Sequence, residues 1–490
     1  MRIPDKFVNY FIFFILLMGI ILRLTYYFQD YDLIIDEANI ARNLAERNFT
    51  ELCLPLKYEQ YAPPVFLWIE KLMSLIFGFG EKALRLYPLL CGMAALFVFY
   101  KILILILTRK ALWYPLALLA MGVIYVKYSA QVKQYMPDLL IGLLLIWAAL
   151  SMDIGKVKRN KFILFWVIAG SVAVWSSMSS VFILAGVGTY YAWQLWAEKK
   201  WKVGWIILIP ILIWIGNFLL YYLLILKPQI NSDYLQNYHD EYFLFLLPGS
   251  KEEWIHNGNR LLSIVRQMGG FTFLPVIFNI LLLLIGTYQV IKGKKELIWL
   301  FGLPMLLVIV AAAMRQYSLI ERLILFMLPL ALVLTGFGMQ KLMEMKSAVL
   351  QIVVVLVALV SIYNASMLRI LWQYEGFHEM TFGMYYLKQH HVDGSHLYIH
   401  DGCGPAFIYY TKLHPNKSEW EELNSAKILK WDSDYAVETK DTRDTVYFLY
   451  TGLPHEEKIK RTSQIEQNMK QVDYFEKYVC YVYGYAPKNY

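Results

Sequence analysis

Charge is what this 490-residue chain has least of. Asp, Glu, Lys and Arg make up 17% of it, against about a quarter in a typical soluble protein. That scarcity excludes an ordinary soluble globular fold of this length. Cysteine is scarce as well: Cys53, Cys91, Cys403 and Cys480 show no CxxC or Cys/His spacing, which argues against a structural zinc site. The pair Cys403 and Cys480 falls in one C-terminal region, so a disulfide between them stays open. No glycine-rich phosphate loop is present, and nothing marks a nucleotide-binding domain. The formal charge of +8 is no nucleic-acid signature, because the lysines and arginines sit at the ends of apolar runs rather than on one basic face. After Met1–Lys6 an apolar run follows without a small-residue cleavage site, so this segment reads as a retained span, not a removed signal peptide.

What is abundant is apolar sequence: 58% of residues, with a mean hydropathy of +0.43. It comes in runs of about 17 to 25 residues, long enough to cross ~30 Å of hydrocarbon as helices. The predicted architecture is an α-helical polytopic membrane protein with about eleven spans. These are residues 7–28, 83–107, 111–127, 136–152, 161–177, 179–197, 203–226, 271–291, 297–313, 319–340 and 347–371. With the N-terminus cytoplasmic, the inner connections hold about 16 Lys/Arg in some 34 residues, and the outer ones about 13 in some 116. Basic residues mark the inner side. The bulk outside the spans is then extracytoplasmic: loops 29–82 and 227–270 and the stretch 372–490. That division gives a membrane domain, 1–371, and a C-terminal domain. In the latter, apolar segments at 396–400, 445–450 and 478–483 read as strands, with helical spacing at 417–430 and 456–477, which predicts a small α/β domain.

Several outer segments carry groups able to do chemistry. Asp36-Glu37 follow the first span; Asp36 reads as the N-cap of an amphipathic helix whose Ile40, Leu44 and Ala45 face the membrane surface, or as a base. Pro63-Pro64 forbid helix until an apolar juxtamembrane helix that passes Trp68. Arg85 opens the second span, where it either snorkels or binds substrate. The turn Tyr128–Asp138, with Tyr135, is richer in polar groups than a connector requires. Its Asp138 either complements a helix dipole or supplies a second carboxylate. Arg315 and Arg322 in a late outer turn suit a phosphate or lipid headgroups equally. Two acids, Asp36 and Asp138, would be the ligands of a divalent metal if one is used.

In order, Asp36-Glu37-Ala38, Pro63-Pro64…Trp68, Arg85…Pro88, Tyr128-Ser129…Asp138 and Arg322…Pro329 resemble the GT-C superfamily of polyprenyl-phosphate-sugar-dependent glycosyltransferases. The nearest look is to the bacterial branch of protein mannosyltransferases and lipid A aminoarabinose transferases. The likeness covers most of residues 1–340; Ala62 departs from it where relatives carry a basic or polar residue, and the C-terminal region adds no motif. It implies inverting transfer of a hexosyl or pentosyl group from a lipid-phosphate donor to an acceptor hydroxyl on lipid, glycan or protein, in a bacterial inner membrane. Asp36 would be the general base and Asp138 a second acid. Glu37, Arg85, Tyr128, Tyr135, Arg315 and Arg322 are the expected substrate-binding groups. The competing readings are a flippase of lipid-linked saccharides and a polysaccharide polymerase. Spans that are nearly charge-free at their centres argue against a transporter.

Overall fold

The computed structural model describes residues 5–230, 237–371 and 379–488. Outside it lie 1–4 ahead of the first span, 231–236 of the second outer loop, 372–378 at the expected 371/372 domain boundary, and 489–490.

The chain is largely α-helical. Helices α1 (Asp5–Phe28), α2 (Ile35–Glu46), α3 (Pro64–Phe77) and α4 (Glu81–Ile106) open it. They are followed by α5 (Arg109–Met121), α6 (Val123–Lys127), α7 (Tyr135–Ser151), α8 (Arg159–Ser176), α9 (Ser180–Ala197) and α10 (Trp205–Tyr221). Within the expected loop 227–270 lies α11 (Lys251–Gly269), and after it come α12 (Phe273–Gly293), α13 (Leu303–Ala313), α14 (Leu328–Met343) and α15 (Ala348–Ala365).

Among the described residues, five helical segments are long and apolar enough to cross a membrane: Lys6–Phe28, Glu81–Ile106, Trp205–Leu226, Phe273–Gly293 and Ala348–Ala365. A sixth is added if the segments Val123–Ala130 and Tyr135–Ser151, bent 114° against each other, count as one. Hydropathy suggested eleven. The difference arises because apolar runs include turns. The expected span 111–127 breaks at Gly122, and α8 opens on Arg159 and Lys161. The expected span 319–340 becomes helical only at Leu328, with Pro329 in its first turn, so residues 319–327 are a folded turn instead.

Two contacts hold the bundle where sequence rules alone would weaken it. The break at Gly122 leaves carbonyls at the end of α5 without helical partners. Arg23 of α1 meets them, donating to Ala120 O (2.7 Å) and Leu119 O (3.1 Å), and to Gly19 O (2.9 Å) of its own helix. Helices α12 and α14 touch backbone to backbone: a Cβ on Gly286 would stand 1.8 Å from Leu334 O, and one on Gly338 2.1 Å from Leu282 O. Small residues permit this approach, and dispersion then holds the pair.

The C-terminal segment starts with α16 (Met380–Gln389) and forms a five-stranded sheet of order β2-β1-β3-β5-β4. Its strands are β1 (Leu397–Ile399), β2 (Lys427–Ile428), β3 (Val446–Thr451), β4 (Met469–Lys477) and β5 (Cys480–Pro487). The β1 strand pairs parallel with β2 and β3; β5 pairs antiparallel with β3 and β4. Three short helices accompany it: α17 (Gly404–Ile408), α18 (Tyr435–Thr439) and α19 (His455–Ile465). Two helical readings are corrected. Residues 417–423 form only a 3-10 turn ahead of β2, and the helix expected over 456–477 stops at Ile465, giving way to β4. As an edge strand exposed over most of its length, β4 has the polar pattern of a surface helix. Cys403 and Cys480 are both buried and free, and Cys403 Sγ accepts from Thr451 N at 3.0 Å.

Substituting Gly286 by Leu should abolish the α12–α14 approach and lower the thermal midpoint by several degrees. Leu at the open Gly216, where no atom lies within 4 Å of a Cβ, should leave it nearly unchanged. Both are measurable by fluorescence-detected melting.

Candidate active site

Helix α2 starts one residue before Asp36. Its N-cap is Ile34, not Asp36 as the sequence suggested, and the Glu37 carboxylate reaches back to accept the Ile34 N–H at 3.3 Å. Glu37 is fully buried. It accepts Arg85 Nε (3.1 Å) and Nη2 (2.9 Å) from the first turns of α4, and the Val132 N–H at 2.8 Å. Arg85 also donates to the carbonyls of Tyr31 (2.5 Å) and Asp32 (3.2 Å). The sequence set Glu37 and Arg85 among substrate contacts; the structure gives them to each other and to the backbone.

With Glu37 turned inward, Asp36 points the other way and stays partly exposed. Its Oδ2 accepts Arg322 Nη1 at 3.1 Å and its Oδ1 accepts Gln60 Nε2 at 3.3 Å. On the far side of Gln60, Lys133 Nζ donates to Gln60 Oε1. Arg322 also donates to Tyr238 Oη at 3.1 Å. Burial pushes the Asp36 carboxyl up, but Lys133, then Arg322, then the Gln60 hydrogen bond outweigh it and hold it below the usual carboxylate range. His239 stands nearby, its Nδ1 3.0 Å from Ser318 Oγ. Burial and the Arg322 charge push it down to about 4, so it is neutral at pH 7.

Asp138, in the first turn of α7, is not bonded to Asp36. It lies near the tyrosines Tyr61, Tyr221 and Tyr317, and its Oδ1 is buried without a partner among the described residues. Tyr135 joins the two regions, within electrostatic reach of both Asp36 and Asp138, and packs edge-on against Tyr128 at 5.3 Å. Arg315 pairs instead with Asp240 at the exposed surface. Gln60, Lys133, Tyr238 and His239 are the neighbours of Asp36 that sequence reasoning did not single out. Lys133 alone left a signal, a lysine in a short turn dense in polar groups.

The residues do not fit a divalent metal. Among the described residues no group of three or more His, Cys, Asp or Glu side chains is placed to hold one, and Asp36 stands between two cations that would repel it.

The C-terminal segment closes over this helix. Ile40 and Leu44, expected at a membrane surface, are wholly buried in a core shared with Met384, Phe407 and Val482. Leu33 N donates to Tyr410 Oη at 3.0 Å, and His414 Nε2 lies 3.2 Å from Glu81 Oε2. Asp32 caps α16 from across the chain, accepting Thr381 N (2.7 Å) and Thr381 Oγ1 (3.1 Å).

No protein-family model matches this chain, and no curated protein matches it in sequence. Solved structures match its fold. ArnT from Cupriavidus metallidurans in the apo state aligns with a TM-score of 0.52 at 12% identity, covering 96% of this chain and 97% of that one. The same protein bound to undecaprenyl phosphate gives 0.50 at 11% identity, covering 98% of each. The Archaeoglobus fulgidus oligosaccharyltransferase in the apo form gives 0.50 at 11% identity, covering 99% of this chain and 76% of that one. At such identities the likeness is one of fold alone: a largely α-helical, polytopic membrane-like architecture.

Burial, then Glu379, push Asp32 up to about 7, well above its unfolded value near ~3.9. The folded chain therefore holds a proton that the unfolded chain releases. This contribution to stability is complete below pH ~4 and lost as pH rises through about 7. Thermal midpoints measured from pH 5 to 8 should fall across that window, and Asp32→Asn should flatten the fall.

Proposed function

We propose that this chain is a GT-C glycosyltransferase. It moves a sugar from a polyprenyl-phosphate donor to an acceptor hydroxyl at the extracytoplasmic face of a membrane, with inversion, and Asp36 is its general base. The observation that carries this reading is an ionised, partly exposed carboxylate flanked by Arg322 and the buried Lys133. The shared fold with ArnT, seen with undecaprenyl phosphate bound, supports a lipid-phosphate donor.

The chemistry follows from the charges. Asp36 takes the proton of the acceptor hydroxyl as its oxygen bonds to the anomeric carbon. The bond from that carbon to the phosphate oxygen breaks, and the electron pair leaves with the phosphate. A phosphate leaves without a general acid when its charge is offset, which Arg322 and Lys133 supply. At rest these cations keep Asp36 a weak base. A bound donor phosphate draws them onto itself, and the basicity of Asp36 then rises as the acceptor arrives. Tyr128 and Tyr135 form the wall of the donor site, and Asp138 orients a sugar hydroxyl through its unpartnered oxygen. The donated group is a hexose or pentose, and the N-terminus is cytoplasmic, in a bacterial inner membrane, as the basic inner loops support.

Asp36→Asn should bind donor normally yet lose transfer from a purified undecaprenyl-phosphate sugar by roughly 10²–10⁴-fold; wild-type turnover by this variant would remove Asp36 from the mechanism. Arg322→Ala removes a charge that lowers the Asp36 pKa. The acid limb of its kcat/KM–pH profile, which reports the free enzyme, should therefore move toward neutral pH.

A further inference from the structure

The C-terminal sheet holds a second polar site that the proposed transfer does not use. On its α19 side, the buried hydroxyls of Tyr435, Tyr450 and Tyr485 have no hydrogen-bond partner among the described residues, nor does Nε2 of the buried His400. Buried polar atoms in native proteins are nearly always satisfied, so four orphans in one packed layer mark a place that takes further hydrogen bonds. They do share a layer: the His400 ring lies 6.0 Å from the Tyr450 ring, and Tyr450 belongs to one buried cluster with Tyr435 and Tyr485. Above His400 stands Trp431, edge-on at 4.6 Å and 52% exposed. Its backbone N–H is held by the Asp401 carboxylate, and its carbonyl accepts Arg461 Nη2 at 2.6 Å.

We propose that Trp431, Asp401 and His400 form a binding site for a neutral saccharide ring. The apolar face of the sugar stacks on the indole, its hydroxyls donate to Asp401, and rotation of the Trp431 side chain admits one hydroxyl to His400 Nε2 and the phenols behind it. The charge balance selects against an anion. Arg461 is committed to Glu457 and to two backbone carbonyls, and beside the Asp401 carboxylate the charge of Lys430 is opposed by that of Asp432. His400 is pushed down to about 4 by burial and by Arg461, so it presents a neutral imidazole. Exposed aromatic surface beside hydroxyl and carboxylate groups is what a sugar, with one C–H face and a rim of hydroxyls, complements. His400 immediately precedes the 3-10 turn and α17, which packs on the helix carrying Asp36, so the site stands at the root of the segment that braces α2.

The test is saturation-transfer NMR on the full-length protein in lipid nanodiscs, with glucose, galactose, mannose and N-acetylglucosamine as separate probes. At least one sugar should give a signal that falls at least tenfold in Trp431→Ala and weakens in Asp401→Asn. The signal should persist in Trp431→Phe, which keeps an aromatic face and serves as the folding control. It should also persist in Asp36→Asn, which separates this site from the proposed catalytic one. No signal from any sugar, with the orphan groups satisfied by buried water alone, would overturn the proposal. So would a signal unchanged in Trp431→Ala or lost in Asp36→Asn.

Discussion

The buried ion pair between Glu37 and Arg85 is the contact around which the outer end of this protein is built. It ties α2 to the start of α4, and through the Val132 amide it ties both to the turn before α7. Two of its participants are sequence neighbours of the groups that matter chemically. Glu37 pointing inward leaves Asp36, about 100° around the helix, facing Arg322 and Gln60. Val132 fixed by its N–H sets Lys133 on the far side of Gln60 from Asp36. A buried pair of this kind is poor evidence of net stability, but removing one partner strands the other charge and costs about 3–5 kcal/mol. Its value here is positional.

Around that scaffold the charges are arranged in two tiers. The inner tier is saturated: Arg85 spends its donors on Glu37 and two carbonyls. The outer tier is only partly so. Arg322 bonds to Asp36 and Tyr238, while Lys133 meets a neutral amide, so cationic capacity remains for an incoming anion. Partial saturation at a partly exposed carboxylate separates groups that hold a fold from groups that act on a ligand. The same contrast marks the C-terminal sheet, where Arg461 is fully committed and His400 is not.

The C-terminal unit is more than an appendage. Its core is continuous with the buried face of α2, and Asp32, Tyr410 and His414 stitch the two together. The helix carrying Asp36 is therefore held between the membrane bundle and a sheet drawn from the far end of the chain. That placement accounts for the burial of Ile40 and Leu44, whose spacing alone reads equally well as a membrane-facing stripe.

Composition and hydropathy determined the class of the molecule: too little charge for a soluble fold, long apolar runs, and chemistry-bearing residues gathered in a few outer segments. Period and composition located three of the five strands, because buried strands are apolar throughout, and concealed β4, whose exposed edge reads like a helix. Asp36 and Arg322 were legible as candidates because an acid and an arginine stood out in outer loops. Only the folded chain decided that they meet. They lie 286 residues apart, and their contact depends on 319–327 being a turn rather than the start of a span. Hydropathy cannot separate those outcomes, since a packed apolar turn and a lipid-facing helix bury the same kinds of side chain. Which carboxylate is scaffold and which is free, between adjacent Asp36 and Glu37, was likewise settled by where α4 places one guanidinium.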